Sequence, residues 1–83
     1  MPIVTGRRVV MYSRSTCHLC DEARAMIEAL RDRAPFDFEE LFIDGDDRLE
    51  RAYGLRVPVV EVDGTEEFEF VVDPRRLAQL LRP

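Results

Sequence analysis

Val9, Val10, Met11 and Tyr12 follow one another with no charge between them, bounded by Gly6 on one side and a Ser-Arg-Ser-Thr turn on the other. A near-continuous apolar run of this length marks a buried strand, so a central strand covered on both faces is expected over Arg8 to Ser13. The period then changes. From Cys17 to Ala34, the positions Leu19, Ala23, Met26, Ile27, Leu30 and Ala34 recur three and four residues apart, which is one face of an amphipathic helix. Pro35 stops it, and Ser15 or Thr16 is the expected N-cap. Phe36 to Ile43 starts in alternation and ends apolar, as a second strand does. Asp44-Gly45-Asp46-Asp47 turns the chain and supplies the N-cap of a short helix, Asp47 to Tyr53, closed by Gly54. Val57 to Val62 reads as a third strand, Asp63-Gly64 as a hairpin turn, and Glu67 to Val72 as a fourth strand with Phe68 and Phe70 facing one way. Asp73 and Pro74 open a last helix, Pro74 to Leu81, buried through Leu77, Leu80 and Leu81.

The order β-α-β-α-β-β-α describes an α/β protein. The first β-α-β makes a parallel pair through a right-handed crossover and the final hairpin adds antiparallel strands, giving a four-stranded mixed sheet with helices on both faces. A length of 83 residues suits one domain, 1–83, with a single modest core. Phe36, Phe38, Phe42, Phe68 and Phe70 are expected to pack on the sheet, and Tyr12 in the core. Asp46-Asp47 reads as helix capping and Glu66-Glu67 as a solvated hairpin.

Charge narrows the partners. Acids outnumber bases to a net charge of −5, all basic residues are arginine, and the doublets Arg7-Arg8 and Arg75-Arg76 read as solvated ends of elements. Phosphate binding needs a concentrated basic surface, so no nucleic-acid partner is expected. The N-terminus lacks the apolar stretch of an export signal and no run is long enough to span a bilayer. A cytoplasmic monomer with no membrane partner is the expectation.

The chain has two cysteines, in Cys17-His18-Leu19-Cys20, where the first strand gives way to the first helix. In a reducing compartment a paired motif of this kind is redox-active or metal-binding sooner than a structural staple. A thiolate attacks a disulfide, and a helix start favours the thiolate through unpaired N–H groups and the helix dipole, so Cys17 is the candidate nucleophile and Cys20 the resolving thiol. Arg14 and His18 add positive charge near the sulfur, while Asp21 and Glu22 oppose it; His18 is otherwise a solvent-facing loop residue. A closed zinc site needs four ligands, and one Cys-x-x-Cys with a single histidine does not make one, so no metal site is expected in a monomer.

Tyr12 to Cys20 resembles the active-site stretch of glutaredoxins, in which an aromatic, a small residue and a Lys or Arg lead into Cys-Pro-Tyr-Cys. Gly54 to Val60 is similar to that family's Val-Pro step, and an Asp-Gly hairpin follows. The resemblance covers nearly the whole chain and implies the thioredoxin arrangement. It further implies a cis Pro58 facing the dithiol, with Val57 offering its backbone N–H and C=O to an extended substrate segment. The implied activity is reduction of protein or small-molecule disulfides, without a bound cofactor, with glutathione or a dithiol reductase as electron donor. Two features depart from the family. His-Leu replaces Pro-Tyr between the cysteines, and Val72-Asp73-Pro74-Arg75-Arg76-Leu77 stands where glutaredoxins carry Gly-Gly and two acidic residues, reversing the charge that attracts glutathione's ammonium. Two alternatives follow: a binding module with an idle dithiol, and a dimer bridging an iron–sulfur cluster through Cys17.

Overall fold

The computed structural model describes residues 6–82; the N-terminal stretch read for an export signal falls mostly on residues 1–5, outside the described residues. Its elements are β1 (Arg8–Ser13), α1 (His18–Arg33), β2 (Asp37–Phe42), α2 (Asp47–Tyr53), β3 (Val59–Val62), β4 (Thr65–Glu69) and α3 (Pro74–Leu80). The sheet order is β2-β1-β3-β4, with β1 parallel to β2 and the other two pairs antiparallel. The parallel pair follows from the α1 crossover, and the hairpin from Asp63 and Gly64, whose φ values of 51° and 86° suit a tight β-turn.

Strand alternation sorts the two faces. Val9 and Met11 of β1 and Val60 and Val62 of β3 meet Ala23 and Ile27 of α1 and Leu77 of α3, forming the core with Phe36, Val72 and Leu81. Tyr12 points to the opposite face, where its ring stacks on Tyr53 of α2 at 4.0 Å between centroids. Desolvation there, aided by the contact with Tyr53, pushes the Tyr12 hydroxyl up to about 12. Because α2 has only 7 residues and buries none fully, Val10 and Tyr12 stay half-buried; β1 is fully covered on one face only.

Several boundaries differ from expectation, each for a local reason. The N-cap of α1 is Cys17, not Ser15 or Thr16. Ser15 is turned toward Asp44, donating its backbone N–H at 3.0 Å and its hydroxyl at 2.8 Å, and these bonds hold the Asp44 carboxyl below the usual range. Gly54 ends α2 in right-handed backbone, not in the left-handed conformation a closing glycine usually supplies. It is needed for space, since a side chain there would collide with the Glu50 carbonyl oxygen and crowd the Arg14 guanidinium. Strand β3 begins at Val59, after Pro58, and β4 runs from Thr65 to Glu69 with a register shift opposite Val60 and Glu61. Phe68 packs against the core, whereas Phe70 leaves the sheet at φ 68° and is 44% exposed. Phe42, the last residue of an edge strand, is also exposed. Leu77 and Leu81 are buried, while Leu80 sits at the margin of the core.

Candidate active site

At the entrance to α1, Cys17 has extended backbone (φ −138°, ψ 106°) while its carbonyl already accepts the first helical hydrogen bond, from Asp21 N–H at 3.1 Å. Its sulfur does what a capping oxygen usually does, accepting the Cys20 N–H at 3.1 Å. Cys17 and Cys20 are joined as a disulfide, with Cα atoms 5.2 Å apart. Cys17 is half-buried and Cys20 is completely enclosed. When the bond opens, the accessible sulfur is the one that stands over unpaired helix amides, which favour negative charge. The enclosed sulfur stays one turn behind it.

His18 is solvent-facing: its side chain is 87% exposed and its Nε2 lies 3.2 Å from Glu22 Oε1 on the same helix surface. Arg14 donates to Glu50 Oε1 at 2.7 Å and Oε2 at 3.3 Å and to the Gly54 carbonyl at 3.1 Å, so its charge is taken up in fastening α2 to the end of β1. The Val57–Pro58 peptide bond is cis. Tyr12 pairs with Val59 across the sheet, which brings the Val57–Pro58 step to the same end as the β1–α1 junction that carries Cys17. Pro58 is buried and its carbonyl accepts Phe70 N–H at 2.9 Å. Val57 is half-buried, and among the described residues its N–H and C=O have no hydrogen-bond partner in the fold.

A polar network beneath α1 escaped the sequence reading. Ser13, fully buried, donates to Glu40 Oε2 at 2.6 Å, and Arg24 donates through Nε and Nη2 to both Glu40 oxygens at 2.6 Å. Burial pushes the Glu40 carboxyl up, but the bonds from Arg24 and Ser13 together outweigh it and hold the group below the usual carboxylate range. Glu40 sits within the strand Asp-Phe-Glu-Glu-Leu-Phe, where alternation places it on the face of Phe38 and Phe42; that register is the one signal for it. Among the described residues there is no group of three or more His, Cys, Asp or Glu side chains arranged to hold a metal ion. Nor is any helix of the described residues long and apolar enough to cross a membrane.

The sequence matches a family model described as a glutaredoxin-like domain (DUF836) over residues 8–82. Among solved structures, protein Ne2328 from Nitrosomonas europaea is 33% identical, with a TM-score of 0.76 and 89% of each chain covered. A protein from X. campestris is 41% identical at a TM-score of 0.72, covering 88% of this chain and 93% of that one. Thioredoxin from Fasciola hepatica, 21% identical at a TM-score of 0.65 over 93% of this chain and 79% of that one, shares the fold. No match was found among curated proteins. The element order and mixed sheet are thus those of the thioredoxin fold.

Proposed function

The chain belongs to the glutaredoxin-like domain family, and from that premise we propose that it is a thiol-disulfide oxidoreductase that reduces protein or small-molecule disulfides. The observation that carries the reading is the pairing of an accessible sulfur at the helix N-terminus with an enclosed one a single turn behind it. In the reduced protein the Cys17 thiolate attacks one sulfur of a substrate disulfide. A mixed disulfide forms on Cys17, and the other substrate sulfur leaves as a thiolate and takes a proton from water. Cys20 then loses its proton and attacks Cys17 Sγ, which closes the Cys17–Cys20 bond and releases the second substrate thiol. Two electrons pass to the substrate.

The extended segment of a substrate pairs with the free N–H and C=O of Val57, with Pro58 shaping the site beside it. Neither His18, which is turned to solvent beside Glu22, nor Arg14, which is bonded to Glu50 and the Gly54 carbonyl, contacts the sulfur, so the helix start supplies the positive field there. An external dithiol reductase or glutathione restores the pair, and the replacement of the acidic pair by Arg75 and Arg76 favours the reductase. The protein works as a cytoplasmic monomer without resident cofactor, nucleic-acid partner or membrane partner.

Reduction of a chromogenic disulfide by the reduced protein tests this. Cys17→Ser is expected to lose at least about a hundredfold in rate, because no comparable nucleophile replaces a helix-capping thiolate. Cys20→Ser is expected to attack once and stall as a mixed disulfide, visible as an adduct by intact mass. Wild-type turnover by Cys17→Ser overturns the assignment.

A further inference from the structure

Between the end of α2 at Tyr53 and the start of β3 at Val59, the chain crosses residues 54–58 outside any helix or strand. Pro58 is fixed from the strand side through its carbonyl, which accepts Phe70 N–H at 2.9 Å. The segment ahead of Val57 is held by Arg56. Its guanidinium donates through Nη1 to Glu66 Oε2 at 3.1 Å and Glu69 Oε2 at 3.2 Å, and through Nη2 to the Ala52 carbonyl at 2.8 Å and Glu66 Oε1 at 3.4 Å. It also lies 5.6 Å from the centroid of the Tyr53 ring. A regular strand would turn Glu66 and Glu69 to opposite faces, because residues three apart do not share one. β4 is not regular here. Glu61 pairs with Glu66 and Val60 with Phe68, so Glu67 is the extra residue of a bulge that brings Glu66 and Glu69 to one side.

Resting on the redox reading above, we propose that Arg56 is a positioning residue: its clamp on Glu66, Glu69 and Ala52 holds the backbone of Val57 in place for pairing with an extended protein substrate. Stability is not what the clamp chiefly supplies. The Arg56, Glu66 and Glu69 side chains are 35%, 43% and 50% exposed, and ion pairs so open to water add little to folding. What the convergence does supply is place, since two carboxylates, a carbonyl and a ring from α2 and β4 meet on one planar fork. The residue they flank is Val57, whose N–H and C=O have no partner among the described residues. Its pairing groups are thus free for a substrate and yet bracketed, by Arg56 on one side and the Pro58 carbonyl bond on the other. A loop ordered in advance spares an incoming peptide the cost of ordering it, whereas a small disulfide with no backbone draws no benefit.

The experiment follows single-turnover reduction of three symmetric disulfides by the pre-reduced protein, reading the maximal rate and the half-saturating concentration separately. The substrates are a cysteine peptide, the same peptide methylated on the backbone nitrogens either side of the cysteine, and bis(2-hydroxyethyl) disulfide. The wild type is expected to reach half-saturation with the peptide at a concentration about fivefold lower than with its methylated form, the scale of one backbone hydrogen bond. In Arg56→Ala, and in the double variant Glu66→Gln/Glu69→Gln that strips the clamp from the β4 side, that difference should fall below about twofold on the same scale. Arg48→Ala, which removes the same charge from an exposed position of α2, should keep it. Equal losses on all three disulfides in Arg56→Ala would mark a purely structural role and overturn the proposal. A methylation effect that survives in Arg56→Ala, or one absent from the wild type, also overturns it and leaves the redox reading standing. Failure of the wild type to reduce any of the three overturns the redox reading and the positioning role with it.

Discussion

Cys17 and Glu40 illustrate how a single side chain acquires its character from hydrogen-bond donors around it. The sulfur of Cys17 faces the Cys20 amide because the chain places a cysteine where a serine or aspartate usually caps a helix. Glu40 is a partly enclosed carboxylate kept ionised by Arg24 and Ser13. Since its folded-state affinity for protons is depressed, it contributes stability that is fully present above the ordinary carboxylate range and lost as pH falls through that range. Glu40→Gln is expected to lower stability at pH 7 by about 1–3 kcal/mol, the scale for breaking a charge-assisted, partly buried hydrogen bond. It should also flatten the fall in stability between about pH 5 and pH 3. Denaturant titrations of both proteins across that window check it, and an unchanged acid slope would show that Asp44 and Asp63, likewise depressed, carry the linkage instead.

At the level of elements, α2 is the least self-sufficient. It buries no residue fully and is held by the Asp46 cap, the Tyr12–Tyr53 stack and the Arg14 bridge to Glu50 and Gly54. Gly54→Ala should push the Arg14 guanidinium and the end of α2 apart, costing about 1–3 kcal/mol as an overpacking change does. For a domain of this size that is a fall in melting temperature of about 4–8 °C per kcal/mol, read by thermal unfolding. A variant as stable as the wild type would mean that the α2 terminus relaxes freely. The turn at Phe70 is the opposite case, an element end whose strain of about 1–3 kcal/mol is kept in place by the Pro58 bond and the burial of Val72.

Over the whole molecule, the proposed disulfide reduction carries an electrostatic expectation, because the net charge of −5 should favour cationic disulfides in reaching the dithiol. Arg76 is paired with Glu67, and Arg56 with Glu66 and Glu69, so the cations beside β4 are partly neutralised and the acidic excess dominates at a distance. A cationic small disulfide such as cystamine is expected to be reduced about tenfold faster than an anionic one of similar size at low ionic strength. The gap should close when added salt shortens the screening length to about 3 Å. Stopped-flow rates at two salt concentrations decide it; equal rates at low salt would confine the relevant field to the groups around Cys17.

Periodicity alone determined most of the architecture. The unbroken run Val9 to Tyr12, the three-and-four spacing after Cys17, the Asp-Gly turn and the Asp46 and Asp73 caps are local signals, and local hydrogen bonding and burial obey them. The Cys-x-x-Cys motif at a strand-to-helix junction likewise made the candidate nucleophile legible. Contacts between residues far apart in the chain decided the rest. Ser15 is drawn to Asp44, which leaves the cap to Cys17; Arg14 is taken by Glu50; Ser13, Glu40 and Arg24 meet only when β1, β2 and α1 assemble. Phe70 reads as one more alternating strand residue until its amide is captured by Pro58, because alternation describes which face a residue would take and not where a strand stops pairing.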